Sequence, residues 1–96
     1  MIASFADGAT ADLFHGNPSA RARRFPAEIR ARAQGKLDML NAAAEIQDLR
    51  APPSNHLEKL AGGFAGFWSI RVNDQWRIVF RWNDHSASEV SLTDYH

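Results

Sequence analysis

Three consecutive residues at the end of the sequence, Asp94, Tyr95 and His96, each carry a side chain that gives or takes a proton. A second group of chemically useful residues lies upstream in "WSIRVNDQWRIVFRW", where Arg71, Arg77 and Arg81 interrupt an apolar pattern. Together they form the inventory for splitting a phosphodiester without a metal ion. That reaction needs a base for the 2′-hydroxyl, an acid for the leaving oxygen and cations for the charge that builds on phosphorus. Histidine suits acid or base work near neutral pH, aspartate orients it or acts as base, and tyrosine stacks on a base or donates a proton. The same three residues also suit a solvated terminal stretch, so the elements that carry them matter.

The arginines are placed by the pattern around them. Trp68, Ile70 and Val72 alternate with Ser69 and Arg71, and Trp76, Ile78, Phe80 and Trp82 alternate with Arg77, Val79 and Arg81. This predicts a β-hairpin with one apolar face. Both apolar sets share that face only if Val72 lies opposite Trp76, with Asn73, Asp74 and Gln75 as the loop. Arg71 then faces Arg77, with Arg81 further along the same side. Like charges directly opposite destabilise a sheet. Either an anionic ligand across that face relieves the penalty, or the side chains splay and pair with Glu89 on the next strand.

The remaining elements are coarser. "MIASF" reads as an opening strand, and "TADLFHG" as a short helix with Thr10 as its N-cap and Gly16 and Pro18 as its stop. A main helix starts at Pro26, with Ile29, Ala33, Leu37, Leu40 and Ala44 on one face. Arg30, Arg32 and Lys36 fall off that stripe, toward solvent or a partner. "RAPPSNH" is a rigid connection, "LEKLAGGFAG" a glycine-rich loop, "NDHSAS" a turn and "SEVSLTDYH" the last strand. Strict alternation puts Tyr95 on the arginine face and Asp94 and His96 on the other. The expected fold class is α+β, a helical layer packed on an antiparallel sheet.

At 96 residues the chain is expected to form one domain, residues 1–96. It has no cysteine, which excludes disulfide and thiolate chemistry. No apolar run approaches the ~18 residues of a membrane helix and no signal sequence is evident, so a cytoplasmic location is expected. The net charge is zero, but the charges are segregated. From Ser19 to Lys36 the sequence carries Arg21, Arg23, Arg24, Arg30, Arg32 and Lys36 against Glu28 alone. A neutral protein arranged this way can present a basic face. The histidines His15, His56, His85 and His96 show no metal-ligand spacing, so no metal and no cofactor is expected.

The opening "MIASF", the helix "FPAEIRARAQGKLDML", the connection "DLRAPPSNHLEKLAGG", the hairpin and the terminal "DYH" together resemble the HigB-like toxins of the RelE/ParE superfamily. The resemblance implies a RelE-like fold, an N-terminal strand and helices packed on a small curved antiparallel sheet. It implies an endoribonuclease that cuts ribosome-bound mRNA and is held inactive by a HigA-like helix-turn-helix antitoxin, reaching operator DNA only through that antitoxin. On matching positions Asp94, Tyr95 and His96 are the catalytic terminus, Arg77 is the phosphate-binding arginine, and Arg71, Arg81 and Lys59 are RNA-binding cations. Some relatives carry a catalytic histidine followed by Pro, Leu, Lys and Gly before the sheet. Here Glu58 stands at that histidine and Ala61 at that lysine, with His56 two residues earlier, which leaves three alternatives: Glu58 serves as a base, His56 reaches in from the loop, or activity is low. The same superfamily includes ParE-like toxins that bind a protein target such as gyrase, and members that only bind, because fold does not fix function.

Overall fold

The computed structural model describes residues 1–94. The predicted Tyr95 and His96 lie outside the described residues. Helix α1 spans Gly8–His15 and α2 spans Ala27–Ala42. Four strands follow, β1 Glu58–Lys59, β2 Trp68–Arg71, β3 Trp76–Asn83 and β4 Ser86–Asp94, in an antiparallel sheet of order β1-β2-β3-β4. The expected α+β layering is present.

The hairpin has the expected register. Arg71 pairs with Arg77 and Ile70 with Ile78, and the Val72 N–H donates to the Trp76 carbonyl. The Asn73 side chain sets the turn by accepting from the N–H groups of Gln75 and Trp76. Ile70, Ile78 and Phe80 are fully buried against Leu37 and Leu40 of α2. Each such side chain contributes roughly 1.5–3 kcal/mol on leaving water. The three tryptophans pack at the margin of this core.

Several elements differ from the sequence reading, each for a physical reason. The opening segment is not a strand. Ile2 and Phe5 make isolated parallel bridges to Ala87 and Val90, which satisfies backbone groups along the outer edge of β4. Asp7, not Thr10, caps α1, its Oδ1 accepting from the Thr10 N–H at 2.7 Å. Thr10 is buried one turn inside, where its hydroxyl oxygen accepts the Leu92 N–H. Gly16 ends α1 in the left-handed conformation, as expected.

Helix α2 stops before Ala44, and Ala43 takes the buried place instead. Asp48 draws the chain away there by accepting from the N–H groups of Ala44 and Glu45. The "LEKL" segment is not wholly loop, since Glu58 and Lys59 pair with Ser69 and Trp68. The second turn is only Asp84 and His85, both at positive φ, so β4 starts at Ser86. A bulge at Glu89, φ 52°, shifts the β3–β4 register and brings both Ala87 and Val90 onto the core face.

Candidate active site

The polar face of the sheet opposite α2 is organised around Arg77. Its Nη1 donates to the Ser69 hydroxyl at 2.6 Å and to the His56 carbonyl at 3.4 Å, and lies 3.9 Å from a Glu58 carboxylate oxygen. The side chain is 15% exposed, so the guanidinium is held in place yet reachable. Each partner is there for a local reason. Ser69 is a buried residue of β2, and Glu58 pairs with it across β1. His56 sits at φ 43°, just beyond a Pro-Ser-Asn turn. That turn is fixed by Asn55, fully buried, whose Nδ2 donates to the Leu49 and Ala51 carbonyls.

The other predicted cations have different surroundings. Arg71 forms an ion pair with Asp74 of the turn. Arg81 pairs with Glu89 at 2.8 Å and its guanidinium lies 4.2 Å from the centroid of the Phe67 ring. An exposed turn carboxylate thus stands beside Arg71, and for Arg81 the pairing with Glu89 is the one that forms. Lys59 lies over Trp68 at 5.8 Å, on the side of β1 opposite Glu58, so it does not join Arg77. Asp94 pairs with Trp76, while Thr93 pairs with Arg77. Asp94 thus faces away from Arg77, and its carboxylate accepts from Gln75 Nε2 at 2.9 Å.

Arg32 and Lys36 do not simply point to solvent. Arg32 Nη1 donates to the Val72 carbonyl at 3.3 Å, and Lys36 Nζ to Asn55 Oδ1 at 2.5 Å. With His56 and Arg71 they line a cleft of about 320 Å³ between α2 and the hairpin. Burial and the neighbouring Arg32 charge hold the Lys36 ammonium below the usual lysine pKa.

The alternating pattern put Trp68, Trp76, Phe80 and Trp82 on the core face and gave no place to Phe64 and Phe67, which form a pair on the polar side. Phe64 is exposed and meets Phe67 edge-on at 6.0 Å, beside Arg81. Ser69 and Asn55 were also missed. A small polar residue in a strand and an Asn in a proline-rich connection carry no signal until their partners are known. Among the described residues no group of three His, Cys, Asp or Glu is arranged to hold a metal, and no helix is long and apolar enough to cross a membrane.

Comparison with known proteins adds four findings. The family model for the RelE-like toxin of the type II toxin-antitoxin system HigB matches residues 3–96. The chain is 45% identical over 72 residues to Toxin HigB-1 of Vibrio cholerae, covering 75% of this chain and 76% of that protein. It is 34% identical over 71 residues to Endoribonuclease HigB of Proteus vulgaris, covering 74% and 76%. The solved YoeB-YefM complex from Staphylococcus aureus shares the fold, with a TM-score of 0.60 at 14% identity over 100% of this chain and 98% of that one.

Proposed function

Because this chain belongs to the HigB-like family of RelE-like toxins of type II toxin–antitoxin systems, we propose that it is an mRNA endoribonuclease acting on ribosome-bound message. The observation that carries this reading is the Arg77 site, a guanidinium oriented by Ser69 and the His56 carbonyl with a carboxylate beside it. The named activity of the Proteus vulgaris relative supports it. The cell compartment is the cytoplasm, where messages and ribosomes are, and the inhibitor is a cognate antitoxin of the HigA-like, helix-turn-helix class.

In the reaction, the 2′-oxygen of one nucleotide attacks the adjacent phosphorus and the 5′-oxygen of the next leaves, giving a 2′,3′-cyclic phosphate and a 5′-hydroxyl. Arg77 stabilises the non-bridging oxygens as charge builds on them. Glu58 takes the proton of the 2′-hydroxyl. It is chosen over His56 because its carboxylate lies on the face of Arg77, whereas His56 offers Arg77 its backbone carbonyl. His96 gives a proton to the leaving oxygen. Ribosome dependence follows from charge. Affinity for a phosphate backbone scales with the cations engaged, and a chain of zero net charge engages few.

Primer extension on cellular mRNA after induced expression tests the reading. New 5′ ends within reading frames are expected, and intact messages in growth-arrested cells would overturn it in favour of a protein target.

A further inference from the structure

The cleft between α2 and the hairpin has a composition that stability does not explain. Arg32, Lys36 and Arg71 bring three cations to it, with His56, Ser54 and Asn73 completing a polar wall and no carboxylate among the described residues lining it. The hydrogen bonds that Arg32 and Lys36 make go to a carbonyl and an amide oxygen, neither of which neutralises charge. The Asp74 carboxylate on Arg71 is 95% exposed, and ion pairs that open to water are weak. Lys36 is partly desolvated beside Arg32, which lowers its pKa and disfavours its charged form.

The cleft is continuous with the Arg77 site. Arg71 is the direct cross-strand partner of Arg77, and such partners lie only about 4.5–5.5 Å apart. His56 belongs to both, its carbonyl accepting from Arg77 and the residue lining the cleft. We propose that the cleft is a second phosphate site, which takes a phosphodiester of the RNA strand adjacent to the one held at Arg77. The proposal rests on the endoribonuclease reading and adds a binding register to it. One strand crosses from the Arg77 face, past Arg71, into the space between Arg32 and Lys36. Grooves that hold a single strand combine a cationic track for the backbone with aromatic faces for the bases, and the cleft supplies the first of these. An acidic protein segment fits less well, since protein partners anchor on apolar and aromatic pockets and Val72 is the one apolar residue among the described residues lining the cleft.

The test uses a 2′-O-methyl oligoribonucleotide, which has no free 2′-hydroxyl and cannot be cut. Its affinity for the full chain is read by fluorescence anisotropy across a salt series. For Arg32→Gln/Lys36→Gln the slope of log affinity against log salt is expected to fall by about 1.4, roughly 0.7 for each cation lost. Arg32→Lys/Lys36→Arg should restore it. If the double variant fails to fold by circular dichroism, Arg32→Gln alone should lower the slope by about 0.7. A wild-type slope in a folded variant overturns the second site. So does a variant that loses affinity for the antitoxin alone, which would make the cleft a protein-docking surface. Parallel cleavage of ribosome-bound message by the wild-type chain separates the two readings. If the wild type cuts and the slopes are equal, only the cleft assignment fails, and if it does not cut, the nuclease reading itself fails.

Discussion

Two sets of cations in this molecule have been given different partners. Arg21 donates to buried Asp12 through Nε at 2.5 Å and Nη2 at 3.3 Å, with the Ser19 hydroxyl donating to the same carboxylate. The Arg21 and Ser19 hydrogen bonds pull the Asp12 pKa down to about 2. Arg81 has Glu89. Arg77, Arg32 and Lys36 are instead held by a hydroxyl, carbonyls and an amide oxygen, with Glu58 standing off at 3.9 Å from Arg77. A carboxylate cancels a cation's field, whereas a neutral oxygen orients the cation and leaves its charge available. The first arrangement serves the fold, and the second is the one that the proposed RNA contacts draw on.

That contrast can be broken most sharply at Arg77 and Arg81, which lie on one strand and one face. Arg77→Ala should slow cleavage by a hundredfold or more, the typical effect of losing a donor worth about 2.7–4 kcal/mol in the transition state. Arg81→Ala should leave the rate near wild type, because its charge is already committed to Glu89. Equal losses in single-turnover cleavage would erase the distinction. A smaller effect, in the opposite sense, is expected at Asp12. Asp12→Asn should lower the melting temperature, since it leaves Arg21 without its carboxylate, while the affinity for uncleavable RNA stays unchanged.

The pH dependence sharpens the comparison further. The folded pKa of Asp12 is depressed from 3.8 to about 2, so its stabilising contribution is present above the unfolded value and is lost as pH falls through that window. Arg21→Gln should flatten the acid limb of a denaturation series there. The folded pKa of Lys36 is also lowered, but for a base this means a charge disfavoured by folding. Stability should rise slightly with pH between that lowered value and 10.5, and Lys36→Gln should abolish the rise. A Lys36→Gln curve that parallels wild type at alkaline pH would show that Lys36 carries no such strain.

Much of the sheet was legible because few registers bury its apolar set. Val72 and Trp76 had to face each other, and with that the opposition of Arg71 and Arg77 was fixed. The fate of the arginines was less legible, since Arg21 depends on an aspartate nine residues away and Arg32 on a carbonyl forty residues away. Thr10 and Asp7 are both cap-forming residue types, Asp the better of the two, and the Leu92 N–H of β4 donates to the threonine hydroxyl oxygen instead. Nothing in "SASEVS" marks the bulge at Glu89. The pairing of Glu58 with β2 rests on backbone bonds of two exposed residues, which leave no pattern. Glu58 drew notice only through the family motif, and its place beside Arg77 gives that notice a chemical basis.

The most direct test of the central claim is single-turnover cleavage of one defined message, free and in programmed ribosome complexes, by the wild-type chain and by His96→Ala. New 5′ ends are expected only with ribosomes and the wild-type chain, and His96→Ala, folded by circular dichroism, should produce none. Efficient cutting of free RNA, or equal cutting by the variant, would contradict the assignment.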